Sequence, residues 1–133
     1  MPHHLVEPIR LGGPGRPRIT IGPPNSGHVG IVLDGVFIQA HDSIIVEDVP
    51  EAFFRGLDRD WRGWTGDRGW SSMDGGCKIG ARHDGVGHIS VTVSLRGPGI
   101  DRSATEPWSA SLTVIVEPAQ LASIADQLAA FVA

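Results

Sequence analysis

The chain is 133 residues long, 41% hydrophobic and 20% charged, which suits one folded domain and excludes compositional disorder. Eleven Lys and Arg stand against fifteen Asp and Glu, a formal charge of −4, and that balance argues against a nucleic-acid partner, which needs clustered positive charge. No apolar run reaches the ~20 residues of a membrane helix, so no membrane partner is expected.

Residues 1–27 read as an irregular N-terminal segment. Gly12-Gly13-Pro14-Gly15 and Gly22-Pro23-Pro24-Asn25 interrupt two β-capable pieces, near Leu5–Leu11 and Arg18–Ile21. Proline restricts both to edge strands or loops. Residues 28–133 read as a single α+β domain. Met1-Pro2-His3-His4 lacks the features of a signal peptide, and the lone Cys77 excludes an intrachain disulfide. A cytoplasmic location is therefore expected.

The first firm element is a hairpin, Val29–Leu33 and Val36–Ala40 joined by Asp34-Gly35. Pairing Leu33 with Val36 sets Val36, Ile38 and Ala40 on the face of Val29, Ile31 and Leu33. Val32 and Phe37 then share the other face, with His28 opposite His41. A further strand is expected over Ser43–Glu47. Asp48-Val49-Pro50-Glu51 reads as a helix start with a capping carboxylate, and the helix runs to about Asp60. Its apolar face carries Val49, Phe53, Phe54, Leu57 and Trp61.

Residues 60–76 are turn-rich and hold Trp61, Trp64 and Trp70. A second hairpin spans Cys77–Leu95. A two-residue loop would put Ile79 and Ala81 on the face of Ser90, Thr92 and Ser94. A three-residue loop, Gly85-Val86-Gly87, instead aligns Cys77, Ile79 and Ala81 with Leu95, Val93 and Val91, and this register is selected. The last strand covers Trp108–Val116, and Pro118 opens a terminal helix. These elements predict an α+β fold: an antiparallel β-sheet built from hairpins, with one mid-chain and one C-terminal helix on one face.

Two clusters are candidate sites. His83-Asp84-x-x-x-His88 offers two imidazoles and a carboxylate, a zinc-like or acid–base set. The chosen register splits it, pairing Asp84 with His88 on the polar side while His83 turns toward the apolar side. The second cluster interleaves Arg62 and Arg68 with Trp64 and Trp70, residue types that anchor partners and stack on rings. Packing of the indoles into the core is the competing role. Cys77 reads as an inert buried thiol. Phosphate-loop, dinucleotide and metalloprotease motifs are absent from the sequence, so no cofactor, no metal and no catalytic residue is assigned.

Phe53-Phe54, Trp61-Arg62-Gly63-Trp64-x-Gly66, Trp70-x-Ser72, Ala81-Arg82-His83-Asp84-x-x-Gly87-His88 and Trp108 before a proline-opened helix resemble a family of small bacterial proteins of unknown function. The resemblance covers about residues 29–133 and implies no activity. The balance leans away from an enzyme. The first expectation is a small intracellular binding domain that acts on a protein partner, immunity-like or regulatory, through Arg62, Trp64, Arg68, Trp70, Asp84 and His88. A small enzyme or ligand-binding protein with its site beside the Trp/Arg loop is the first alternative, and a homodimeric structural protein is the second.

Overall fold

A computed structural model describes residues 6–13, 15, 17–97 and 107–133. Eight strands and two helices are present among them: β1 (Ile9–Leu11), β2 (Arg18–Asn25), β3 (His28–Asp34), β4 (Gln39–Ile45), α1 (Glu51–Arg59), β5 (Asp67–Ser71), β6 (Cys77–His83), β7 (Ile89–Gly97), β8 (Trp108–Val116) and α2 (Pro118–Val132). The fold is α+β, as the patterning predicts. Its strands, however, form two antiparallel sheets instead of one, ordered β1-β2-β3-β4 and β5-β6-β7-β8.

Each strand alternates, and the apolar sets of both sheets face a shared core. Ile19, Ile21, Val29, Ile31 and Leu33 supply it from the first sheet. Cys77, Ile79, Val91, Val93 and Leu95 supply it from the second. The sheets meet where β8 lies against β1, β2 and β3, and where β7 lies against β4. The helices pack on each other and bury Phe54 and Leu57 of α1 with Leu121, Ile124 and Leu128 of α2. Phe131 of α2 lies over Gly22 so closely that a Cβ there would sit 2.6 Å from the ring. Gly22 also has φ +75°, so glycine is required twice over at this point.

Leu11 and Ile9 pair with Ile19 and Ile21, so β1 is an edge strand while β2 lies inside the sheet. Pro23 and Pro24 escape the usual penalty of an inner strand. The β1 pairing covers only residues 19–21 of β2, and the β2–β3 ladder itself shifts register between Ile21 and Pro24.

The second hairpin has the predicted register, with Cys77 opposite Leu95, Ile79 opposite Val93 and Ala81 opposite Val91. The first does not. Leu33 pairs with Ala40 and Asp34 with Gln39, four residues from the expected pairing, and residues 35–38 form the loop. Gly35 N–H donates to the Ile38 carbonyl at 2.8 Å, and Asp34 Oδ1 accepts the Val36 N–H at 3.0 Å, so the aspartate organises a longer turn. A shift by an even number keeps Val29, Ile31 and Leu33 inward. It removes Val36 and Ile38 from the sheet, and it sets His28 opposite Ile45 and His41 opposite Val32, so the two imidazoles do not pair.

Three further expectations change. Ser43–Ile45 belong to β4, and Val46–Asp48 form a 3-10 turn. Asp48 does not cap α1: Pro50 holds that position, and Asp48 Oδ2 accepts the Met73 N–H at 2.7 Å. The turn-rich stretch contains a strand, β5, in which Arg68 and Trp70 point inward between exposed Asp67, Gly69 and Ser71. The terminal helix begins at Pro118, where Glu117 N–H donates to Gln120 Oε1 at 2.9 Å.

Candidate functional site

The tryptophan segment leaves α1 and returns as β5, and its side chains divide by face. Trp61, 47% exposed, follows the helix, and the Arg62 guanidinium lies 5.2 Å from its ring centroid. Arg68 lies 5.0 Å over the Trp64 ring, and the His83 ring meets Trp64 edge-on at 5.3 Å. The Arg68 guanidinium is also committed to Asp60, with Nη1 2.6 Å from Oδ2. That bond holds the Asp60 carboxyl below its ordinary range, against the opposing effect of burial. Trp70 stands opposite Ile79 and packs on the core.

His83 joins this segment to the second hairpin. Gly85 N–H can only donate, and it points at Nδ1 from 2.9 Å. Nε2 therefore carries the proton and donates it to the Trp61 carbonyl at 3.0 Å. Both ring nitrogens are occupied in the neutral form, which leaves neither a lone pair for a metal nor a free base.

Asp84 and His88 meet across the turn. Asp84 Oδ1 accepts the N–H groups of Val86 (2.7 Å) and His88 (3.0 Å), and Oδ2 lies 3.1 Å from His88 Nδ1. The backbone N–H of His88, then that of Val86, holds the Asp84 carboxyl below its ordinary value. An ionised carboxylate of weakened basicity serves poorly as acid or base, and well as a turn clamp. His88 Nε2 looks toward Glu117 Oε1 at 4.0 Å.

The six sequence-selected residues thus form separate groups. Trp64 and Arg68 share one stack, Asp84 and His88 share the turn, Arg62 covers Trp61, and Trp70 joins the core. A cleft of about 470 Å³ is lined by Trp64 and Asp84 together with Arg82 and His83. A second depression of about 400 Å³ lies where Gly69 faces Gly80, rimmed by the Asp67–Arg82 ion pair at 2.8 Å. Among the described residues, no three His, Cys, Asp or Glu converge as metal ligands would. Cys77 is 1% exposed, and burial, then Asp42, Asp74 and Asp48, pushes its thiol up to about 12.

The feature that sequence reasoning missed is the tip of the first hairpin. Val36, Phe37 and Ile38 are 56%, 94% and 77% exposed. Val36 takes φ +79°, a conformation that a β-branched side chain strongly disfavours. A signal was present: Phe37 follows Asp34-Gly35-Val36 where Gly87 follows Asp84-Gly85-Val86, so the first turn lacks the second glycine that closes a three-residue loop.

Residues 24–133 match the model of a family described as "Family of unknown function (DUF6228)". The chain belongs to that family. No curated protein and no solved structure matches it. The DUF6228 span holds the apolar tip, the tryptophan stack and the Asp84 turn, whereas β1 and most of β2 precede it.

Proposed function

We propose that this DUF6228 protein is a non-enzymatic binding domain of the bacterial cytoplasm that engages a protein partner through the Val36-Phe37-Ile38 tip. The single observation that carries the reading is Phe37, 94% exposed at the end of a hairpin. Burying such a side chain contributes about 1.5–3 kcal/mol, which a partner would gain and the isolated chain forgoes. The backbone of Val36, at φ +79°, costs about 1–3 kcal/mol more to hold, and strain of this kind clusters at functional positions. Asp34 precedes the tip and the chain carries −4, which disfavours an anionic membrane as the surface it meets. The buried thiol, alone in the sequence, suits a reducing compartment.

The test is co-expression with the products of genes adjacent to its own. A partner is expected to co-purify with the wild-type chain and to be lost with Phe37→Ser, while circular dichroism is unchanged. Retention by Phe37→Ser would overturn the reading. A second reading, a small ligand in the cleft that Trp64, Arg82 and Asp84 line, is favoured by an aromatic, a cationic and an acidic residue lining one cleft. Under it, Arg82→Ala abolishes ligand binding and Phe37→Ser does not.

A further inference from the structure

Two sheets of four strands leave four edges, and three of them carry features that block pairing with another chain. β1 is three residues long. β4 points a carboxylate, Asp42, to the inner face at its centre. β5 is five residues long, begins with Asp67-Arg68 and has Gly69 at its middle.

β8 has none of these. It runs nine residues, Trp-Ser-Ala-Ser-Leu-Thr-Val-Ile-Val, without charge or proline, and its register with β7 is unbroken from Trp108 to Val116. Among the described residues, β7 is its one strand neighbour. Its two faces are segregated. Inward, Ala110 and Leu112 are only half-buried and Trp108 is 39% exposed, although Val114 and Val116 of the same face are buried. Outward, Ser111 and Thr113 form hydroxyl pairs with Ser94 and Thr92 of β7 at 2.7 and 2.6 Å. Ile115, also outward, is 51% exposed.

We infer that β8 pairs antiparallel with β8 of a second copy about a two-fold axis at Leu112, joining two four-stranded sheets into one of eight. The sequence of the strand is self-complementary in that register. Leu112 meets itself, Ala110 meets Val114, and Trp108 meets Val116, which extends the core face across the axis. On the outer face Ser111 meets Thr113 of the second copy, continuing the hydroxyl rows that β7 and β8 already share. Leu112 is the midpoint of the nine-residue strand, so this centre alone pairs all nine residues. The partner is this chain itself, because the inner face is apolar against its own reverse throughout, the outer face matches at Ser111 and Thr113 with Ser109 against Ile115 as its one polar–apolar pair, and no charge selects a different sequence. The inference is independent of the tip, which lies on the other sheet.

Sedimentation equilibrium of the full chain tests it. The wild type is expected to approach twice the 14.1 kDa monomer mass as concentration rises. Ser111→Lys with Thr113→Lys sets like charges opposite each other twice and is expected to leave monomer. Ser111→Lys with Thr113→Glu sets Lys against Glu in the proposed register and is expected to restore the dimer. Phe37→Ser is expected to leave the dimer intact. A wild type that stays monomeric throughout, a dimer that survives the double lysine, or a lysine–glutamate variant that stays monomeric each overturns the inference. Hydrogen exchange on the wild type gives a check free of variants. The β8 amides that point away from β7 should slow as concentration rises, and unchanged rates would overturn the pairing.

Discussion

The two hairpins β3–β4 and β6–β7 turn on the same tripeptide, Asp34-Gly35-Val36 and Asp84-Gly85-Val86, and they begin alike. In each the aspartate Oδ1 accepts the valine N–H, at 3.0 and 2.7 Å. Their backbones part at the glycine: Gly85 takes φ +83°, whereas Gly35 lies outside the left-handed region. Gly87 follows Val86 and takes φ +99°, which closes a three-residue loop with Asp84 N–H on the His88 carbonyl at 3.1 Å. In the first hairpin Val36 takes the positive φ, Phe37 stands where Gly87 does in the second, and the loop lengthens to residues 35–38. The same tripeptide thus leads into a closed structural turn in one hairpin and an exposed apolar tip in the other.

This contrast can be broken by mutation, most forcefully at the strands that hold the second register. Leu95, fully buried opposite Cys77, should cost about 2–5 kcal/mol when replaced by alanine, measured by urea unfolding. Gly87→Ala should cost about 1 kcal/mol, since a Cβ there meets nothing and only the positive φ resists it. The mirror change, Val36→Gly, should raise stability by up to about 1 kcal/mol by relieving the same conformation. Phe37→Ser should alter stability by no more than about 0.5 kcal/mol, although it is expected to abolish partner capture. A large loss of stability there would place Phe37 in the fold's own packing.

The smallest expected effect is that of pH on Asp84. Its folded value lies below the ordinary 3.8, so its contribution is present above that value and disappears as pH falls through the depressed range. The difference in unfolding midpoint between wild type and Asp84→Ala should therefore be constant near neutrality and vanish in acid. A difference that persists in acid would assign the turn's order to His83 and the glycines instead.

Much of the second sheet was legible because Cys77, Ile79 and Ala81 and their partners Val91, Val93 and Leu95 leave only one register with an apolar face. In the first sheet the same logic misled. Val36 and Ile38 continue the alternation of Val29, Ile31 and Leu33 in sequence, and only the missing glycine after Val36 marks that the turn will expel them. β5 escaped notice because its inward residues are Arg68 and Trp70, a cation and an amphipathic ring, with glycine between. The Asp84–His88 contact followed from register alone. The double engagement of His83 did not, because one of its partners is the carbonyl of Trp61, twenty-two residues away.

Cys77 sits on the inner face of the second sheet with its proton held far more tightly than a free thiol's. Alkylating reagents can reach it only when β6 separates from its neighbours, so the rate of labelling times the opening of this sheet without any added probe. For the same reason no thiol is within reach to cross-link two folded copies, and the proposed pairing through β8 is expected to be indifferent to reductant.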